Sequence, residues 1–290
     1  MPDFNRYIAQ AKLRLEKARA SYGLVDIAVR TFKRFSEDDG GFYAAALTYY
    51  LFFSLFPLLI FATAMLGFTT EVFPELREDL LSQGFEAFPL LSDIVTPSVL
   101  DRLEDVAGQL AALSIVLALY SGTGAVTALA HALNKIHRVE DEGNFWTKRL
   151  DALKWLAILS VTVLGSLAMG SLAALAPGLL GTWLGHIVGV GLNLCIFMTA
   201  FVFLPHVDRA WREVFPGALI GAVAFELLKY LGEFYLDRGA STRSATFGAL
   251  AAAAGFLVAS YLLAQITLLT AEVNAVLAER RLTRQSLVET

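Results

Sequence analysis

Charged side chains are unevenly spread along this chain, and long apolar windows lie between them. Three windows contain no Asp, Glu, Lys or Arg: Gly40 to Thr70, Val106 to Asn134 and Ser244 to Ala271. Each is longer than the roughly 20 apolar residues that a helix needs to cross a bilayer. A fourth, Trp155 to Val207, is long enough for two spans folded back on each other. A fifth, Val214 to Leu236, is interrupted only by Glu226, Lys229 and Glu233. This pattern predicts a polytopic membrane protein.

Helices are the expected structure of these windows. Only helices or a closed barrel satisfy every backbone N–H and C=O inside lipid. Barrel strands are alternating segments of about ten residues, and these windows are much longer. We therefore predict an all-α, polytopic membrane helix bundle with six spans: Ala44 to Phe68, Ala111 to Asn134, Ala152 to Leu175, Leu184 to Leu204, Val214 to Leu236 and Phe247 to Leu277.

Composition supports this interpretation. Of the 290 residues, 56% are hydrophobic and 17% are charged, which is too little polar surface to cover a soluble globule. The net charge of −4 gives no electrostatic reason to expect a nucleic-acid partner. The single cysteine, Cys195, excludes an intramolecular disulfide and a cysteine-based zinc site. The charged amino-terminal segment contains no apolar core like that of a signal peptide.

The distribution of basic residues predicts the orientation of the spans. Lys and Arg are frequent in the amino-terminal arm, the second and fourth loops and the tail, and sparse in the other loops. Because such loops stay in the cytoplasm, both termini are expected inside. The predicted organisation is a cytoplasmic amphipathic basic arm (1–41), a six-span membrane domain (42–278) with an outer loop (71–105), and a cytoplasmic tail (279–290).

The arm and the outer loop both carry apolar residues at helical spacing among charged ones. We expect the arm to form a helix in the cytoplasmic interface and the outer loop to form one or two amphipathic helices. A solvated or interfacial anchor is the simpler interpretation of each, and a binding surface is the alternative.

The fifth predicted span contains the clearest candidates for function. Glu226, Lys229 and Glu233 fall on one helical face and can pair along it. Gly217 and Gly221 form a GxxxG spacing on another face, where a neighbouring helix can approach closely. The charged residues either line a polar path for a substrate or proton, or form a neutral ion pair that fixes packing.

Other spans carry isolated polar or helix-bending positions. Gln265 and Glu272 share a face of the sixth span, with Glu272 near the cytoplasmic end. His131 and Asn134 lie on one stripe of the second span, where a histidine is either a hydrogen-bonded packing group or a proton relay. The first span contains three further candidates, of which the proline predicts a kink or cavity: Tyr50, Ser54 and Pro57.

Glycines at four-residue spacing mark the fourth span. Gly181, Gly185 and Gly189 predict close helix packing, either within the bundle or between copies of the chain.

No motif for common enzyme chemistry is present. The chain has no Walker A loop, GxGxxG fingerprint, HExxH or nucleophile elbow. Its histidines are scattered, and no carboxylate group resembles a two-metal nuclease site. We therefore expect neither enzyme activity nor a bound cofactor or metal.

Four ordered strings resemble a known family, the YihY/virulence factor BrkB family of bacterial inner-membrane proteins, formerly called ribonuclease BN-like. The resemblance runs from about Gly40 to Ala278. The matching strings are Ala44 to Tyr50 with Ser54 to Pro57, Ser121 to Val126 with Ala132 to Asn134, Phe215 to Ala218 with Glu226 to Tyr230, and Ala271 to Ala275.

The resemblance implies a six-span envelope protein of the bacterial inner membrane with a suspected transport role and no settled substrate. Two functions remain open: a transporter or lipid flippase, and a non-transporting scaffold for envelope assembly. The ribonuclease label is disfavoured, because a zinc nuclease needs clustered His and Asp. The expected partners are membrane lipids, the chain itself or envelope proteins, and not nucleic acid.

Overall fold

The computed structural model describes residues 23–72, 97–139, 144–174, 179–246 and 248–288, and these residues form seven helices and no strand. The predictions for residues 1–22 of the arm and 73–96 of the outer loop lie outside them. The helices are α1 (Gly23–Glu37), α2 (Gly40–Val72), α3 (Pro97–Ile136), α4 (Phe145–Ala174), α5 (Leu179–Phe203), α6 (Trp211–Thr246) and α7 (Gly248–Val288).

The long helices extend beyond the predicted spans. α3 begins at Pro97, so the end of the predicted outer loop is the first part of this helix. α7 continues to Val288, through most of the predicted tail. Polar residues at the end of a span do not stop a helix unless they also cap it.

The all-helical class is confirmed for the described residues. Among the described side chains, two helices contain stretches long and apolar enough to cross a membrane, Trp211–Gly232 in α6 and Ala253–Thr283 in α7. The described part of α5 contains a shorter apolar stretch, Ile187–Phe203. The count of six spans stays a prediction.

A tight turn joins α1 to α2. The N–H of Asp38 donates to the carbonyl of Arg34 (2.7 Å), and Asp39 has a φ of 56°, a conformation that Asp tolerates better than most residues. A Cβ atom at Gly40 would overlap the ring of Phe35. The turn therefore brings Asp38 and the end of α1 close to the start of α2.

The six long helices pack in a closed ring. Each contacts the next in chain order, and α7 closes the ring against α2. α7 also contacts α3 and α1, so it has more helical neighbours than any other described helix has among the stronger contacts. The last helix therefore holds the bundle together.

Among the side chains that the structure describes, the buried core lies where α3 and α5 end and α6 begins. Leu133, Phe201, Val214 and Leu268 are almost fully buried there. The distribution of basic residues predicts that this end of the bundle is cytoplasmic.

The outer face of α6 is apolar and exposed. Ile220, Val223, Leu227 and Leu231 are 45–63% exposed, whereas Ala218 on the other side is fully buried. A stripe of large exposed aliphatic side chains is unusual for a soluble monomer and is suited to contact with lipid.

Asn274 of α7 braces the start of α6. Its side-chain oxygen accepts from the N–H of Gly217 (2.8 Å), and its side-chain nitrogen donates to the carbonyl of Val214 (3.0 Å). A Cβ atom at Gly217 would overlap the carbonyl oxygen of Thr270. The two helices therefore meet backbone to backbone at this glycine.

We expect Gly217→Ala to destabilise the protein by about 1–3 kcal/mol, because overpacking forces the two backbones apart. Thermal unfolding of the purified protein in detergent measures the change. Gly232→Ala in the same helix is the matched control, since a Cβ atom there meets no described atom within 4 Å. Alanine should preserve or raise stability at that position. Equal losses in both variants would contradict a specific close approach at Gly217.

Candidate functional site

Glu226 and Lys229 of α6 face α5. Lys229 Nζ lies 2.8 Å from Glu226 Oε2, and the side-chain nitrogen of Asn193 in α5 donates to the same oxygen (2.9 Å). The Glu226 and Lys229 side chains are only 13% and 21% exposed. Asn193, Glu226 and Lys229 are called the polar trio below.

The backbone of α5 leaves room for this trio. A Cβ atom at Gly189 would lie 3.6 Å from Glu226 Oε1 and 4.0 Å from Lys229 Nζ, so the glycine lets both charged groups approach the helix. The trio lies away from the exposed stripe that includes Leu227 and Leu231. The arrangement can hold a charge pair out of lipid and offer both signs of charge to a polar ligand.

A second polar group lies where α1 meets α7. Arg34 Nε donates to Glu272 Oε2 (3.0 Å), Nη2 donates to the carbonyl of Ile136 (2.9 Å), and Nη1 pairs with Glu279. Glu272 is fully buried. Burial lowers the pKa of Arg34, but Glu272 and Glu279 outweigh it, and the net pKa lies above the ordinary value. Arg34 therefore joins α1, α3 and α7 as a permanent cation.

His137 follows the end of α3 beside this group. Burial, then the positive charges of Arg209 and Arg34, lowers its pKa to about 4. Its Nδ1 atom is buried without a hydrogen-bond partner. His137 is thus a neutral packing residue at neutral pH.

Asn134 links the end of α3 to the segment after α5. Its side-chain oxygen accepts from the N–H of His206 (2.7 Å), and its side-chain nitrogen lies 3.0 Å from His206 Nδ1. A small pocket beside this contact is lined by Thr127, His131, Asn134, Lys148, Asp151 and His206, among others. Neither Glu226 nor Lys229 belongs to it, so this pocket does not join the polar trio to His131.

The other predicted positions are distributed over the bundle. Tyr50 lies on Gly124 of α3, and the Ser54 hydroxyl donates to the carbonyl of Leu51 within α2 (2.8 Å). Pro57 lies inside α2, and Gln265 is half-buried in α7. These positions do not converge on one site.

The predicted glycine contacts differ from one glycine to the next. Gly217 meets α7, whereas a Cβ atom at Gly221 would press on the Phe197 ring of α5 (2.9 Å). The GxxxG spacing therefore serves two neighbours. A Cβ atom at Gly185 would meet no described atom within 4 Å. Gly181 and the side chain of Glu233 lie outside the described side chains.

Several residues of these contacts are not on the sequence-based list of sites. Asn193 is uncharged, and a search for charges in apolar windows passes over it. In the sequence, Asn274 is marked only by its place in one of the strings that resemble the family. Arg34 is one of many basic residues in the arm. A search for amides inside apolar windows would have found Asn193.

We expect His137 to make stability depend on pH. Its pKa is about 4 in the folded state and near 6.5 when unfolded, so the unfolded state binds the extra proton between these values. Stability is therefore full above pH 6.5 and falls by about 3 kcal/mol as pH drops to 4. His137→Gln should lack this part of the loss in thermal unfolding of the protein in detergent. An identical pH profile for both proteins would contradict a neutral buried His137.

Comparison with known proteins identifies the family. The chain is 26% identical over 264 residues to YfkH of Bacillus subtilis, whose name calls it ribonuclease-like, covering 86% of this chain and 94% of that protein. It is 24% identical over 268 residues to the inner membrane protein YhjD of Escherichia coli (84% and 78% of the two chains). It is 31% identical over 258 residues to a UPF0761 membrane protein of Albidiferax ferrireducens (84% and 60%).

No solved structure matches the chain. The model of one family, described as virulence factor BrkB, matches residues 31–289, which includes α1 from Thr31 onwards and all six long helices. The match also contains Arg34, Glu226, Glu272 and Asn274, which make the contacts described above. The chain is a membrane protein of the BrkB virulence factor family.

Proposed function

We propose that this protein is a multi-pass transporter or lipid flippase of the bacterial inner membrane. The observation that carries the proposal is the polar trio, a carboxylate, an ammonium group and an amide held between α5 and α6. Ionisable residues inside a membrane are costly, and they often mark the path of a substrate or ion. Both signs of charge suit a substrate with a charged or zwitterionic group, such as a lipid headgroup or a small metabolite.

The six-span topology belongs to the same proposal. The ring of long helices supports it, and the distribution of Lys and Arg orients both termini to the cytoplasm. The buried Arg34 group then lies at the cytoplasmic end of the bundle.

A non-transporting scaffold for envelope assembly is the second candidate. Glu226 and Lys229 neutralise each other, and Asn193 donates to Glu226, which suits a fixed packing contact as well as a path. The small pocket near His131 is separate from them. Its partners would be membrane lipids, a second copy of the chain or envelope proteins.

The proposal includes no enzyme activity and no nucleic-acid partner. The scattered histidines and the low net charge support this part of it. We therefore expect no ribonuclease activity, despite the ribonuclease-like name of the Bacillus subtilis relative.

We expect a reporter that is active only outside the cytoplasm to be active when fused after Gln83 and silent when fused after Glu289. The reason is the bias of Lys and Arg towards loops on the inner side. Enzymatic assays of the two fusions in intact cells measure this. Activity after Glu289, or silence after Gln83 in a stably produced fusion, would overturn the topology.

We expect Glu226→Gln and Lys229→Met each to cost about 3–5 kcal/mol, because each leaves one buried charge without its partner. The double variant should cost less than either, as measured by thermal unfolding in detergent. Glu213→Gln is the control, since this carboxylate in the first turn of α6 is 38% exposed and pairs loosely with Arg209 (3.6 Å), which precedes the helix. Single variants as stable as the parent would show that the two charges are not a buried pair.

The double variant also separates the two functions. Lipids and metabolites are profiled in a deletion strain that carries the parent, the double variant or the Glu213→Gln control. Transport predicts that the double variant is stable but leaves the deletion profile uncorrected. Full correction by the double variant would contradict transport through the trio and favour the scaffold.

A further inference from the structure

The turn between α1 and α2 places one carboxyl group against another. Asp38 lies in this turn, and its carboxyl group is within hydrogen-bonding reach of the Glu272 carboxyl group of α7. Glu272 Oε2 already accepts from Arg34. Glu272 Oε1 and Asp38 Oδ2 are both buried and have no donor among the described residues.

Two ionised carboxylates cannot form a hydrogen bond with each other. Each offers only lone pairs, and like charges at this distance repel strongly in a site that excludes water. A single proton removes both problems, because a carboxyl O–H donates to the neighbouring carboxylate. The two buried acceptor oxygens can therefore be joined by a hydrogen bond only when one proton is present.

The surrounding charges do not replace this proton. Arg34 is the cation in direct contact, and it is shared with Glu279 and the carbonyl of Ile136. His137 is held neutral by burial and by Arg209 and Arg34, which lower its pKa to about 4. Lys135 of α3 lies near the turn, but it is partly exposed and bonds to Asp39 (3.1 Å).

We propose that Asp38 and Glu272 form a binding site for one proton, shared between their carboxyl groups at the junction of the α1–α2 turn with α7. Loss of the proton would leave two adjacent carboxylates and weaken this junction. A role for the proton as the ion that drives transport rests on the proposed function; the presence of the proton does not.

Infrared spectroscopy of the purified full-length protein in detergent tests the site. A protonated carboxylic acid gives a C=O stretching band that is separate from carboxylate and amide bands and shifts in heavy water. We expect this band in the parent near neutral pH and its loss, in a single-proton step, as the pH is raised. Asp38→Asn should abolish it, because the asparagine amide donates to Glu272 directly and no proton is needed.

Two further variants make the assignment specific. Glu272→Gln should also abolish the band. Asp39→Asn changes the next residue, whose exposed carboxylate faces Lys135, and should leave the band intact. If Glu272→Gln does not fold, the comparison of Asp38→Asn with Asp39→Asn is sufficient.

The proposal is wrong if the parent has no such band, or if the band is unchanged in Asp38→Asn. Because the measurement uses no substrate, its result is independent of whether the protein transports anything. A band with the expected behaviour alongside full correction of the deletion strain by the Glu226→Gln and Lys229→Met double variant would uphold the proton site and reject transport through the trio.

Discussion

Two side chains of α7, Glu272 and Asn274, fix the positions of its neighbours. They are two residues apart in a helix, so they point to nearly opposite sides. Glu272 binds Arg34 of α1, and Asn274 binds the backbone of α6 at Val214 and Gly217. Buried polar groups are costly without hydrogen-bond partners, and these neighbours provide partners for Glu272 Oε2 and for both polar atoms of the Asn274 side chain. The register of three helices therefore depends on a few atoms of one helix.

These contacts give specificity more than stability. Lipid is as apolar as the leucine and alanine side chains of the bundle, so the hydrophobic effect does little to choose between alternative helix packings. A hydrogen bond to a particular backbone atom does favour one helix packing over the others. Asn134 repeats the device at the end of α3, where it binds both the backbone and the ring of His206. Amides that bind the backbone of a neighbouring segment thus mark two of the junctions at this end of the ring.

Part of this arrangement follows from the sequence alone. Apolar windows of this length predict helices because they are too long for the strands of a barrel, the other structure that satisfies the backbone in lipid. The three-residue spacing of Glu226 and Lys229 predicts that they pair. The contact of Glu226 with Asn193 does not follow from local spacing, since the two residues are 33 positions apart. The contact of Asp38 with Glu272 depends on a turn conformation and on helix packing across the whole chain. The helices are longer than the predicted spans. Charged residues show where a span leaves the lipid, but the helix can continue beyond that point.

The attachment of α1 has a consequence for synthesis. Its ion pairs run to residues of α7 that follow more than 230 positions later, Arg34 to Glu272 and Glu279, and Asp26 to Arg280. Chains emerge from the ribosome amino terminus first, and early segments normally fold before later ones are made. Before the last helix is made, α1 can contact α2 and donate one hydrogen bond from Arg34 to the carbonyl of Ile136 at the end of α3. The ion pairs of α1 therefore form only after α7 has been made, and a chain that stops short of α7 lacks the carboxylates and the arginine that hold this helix.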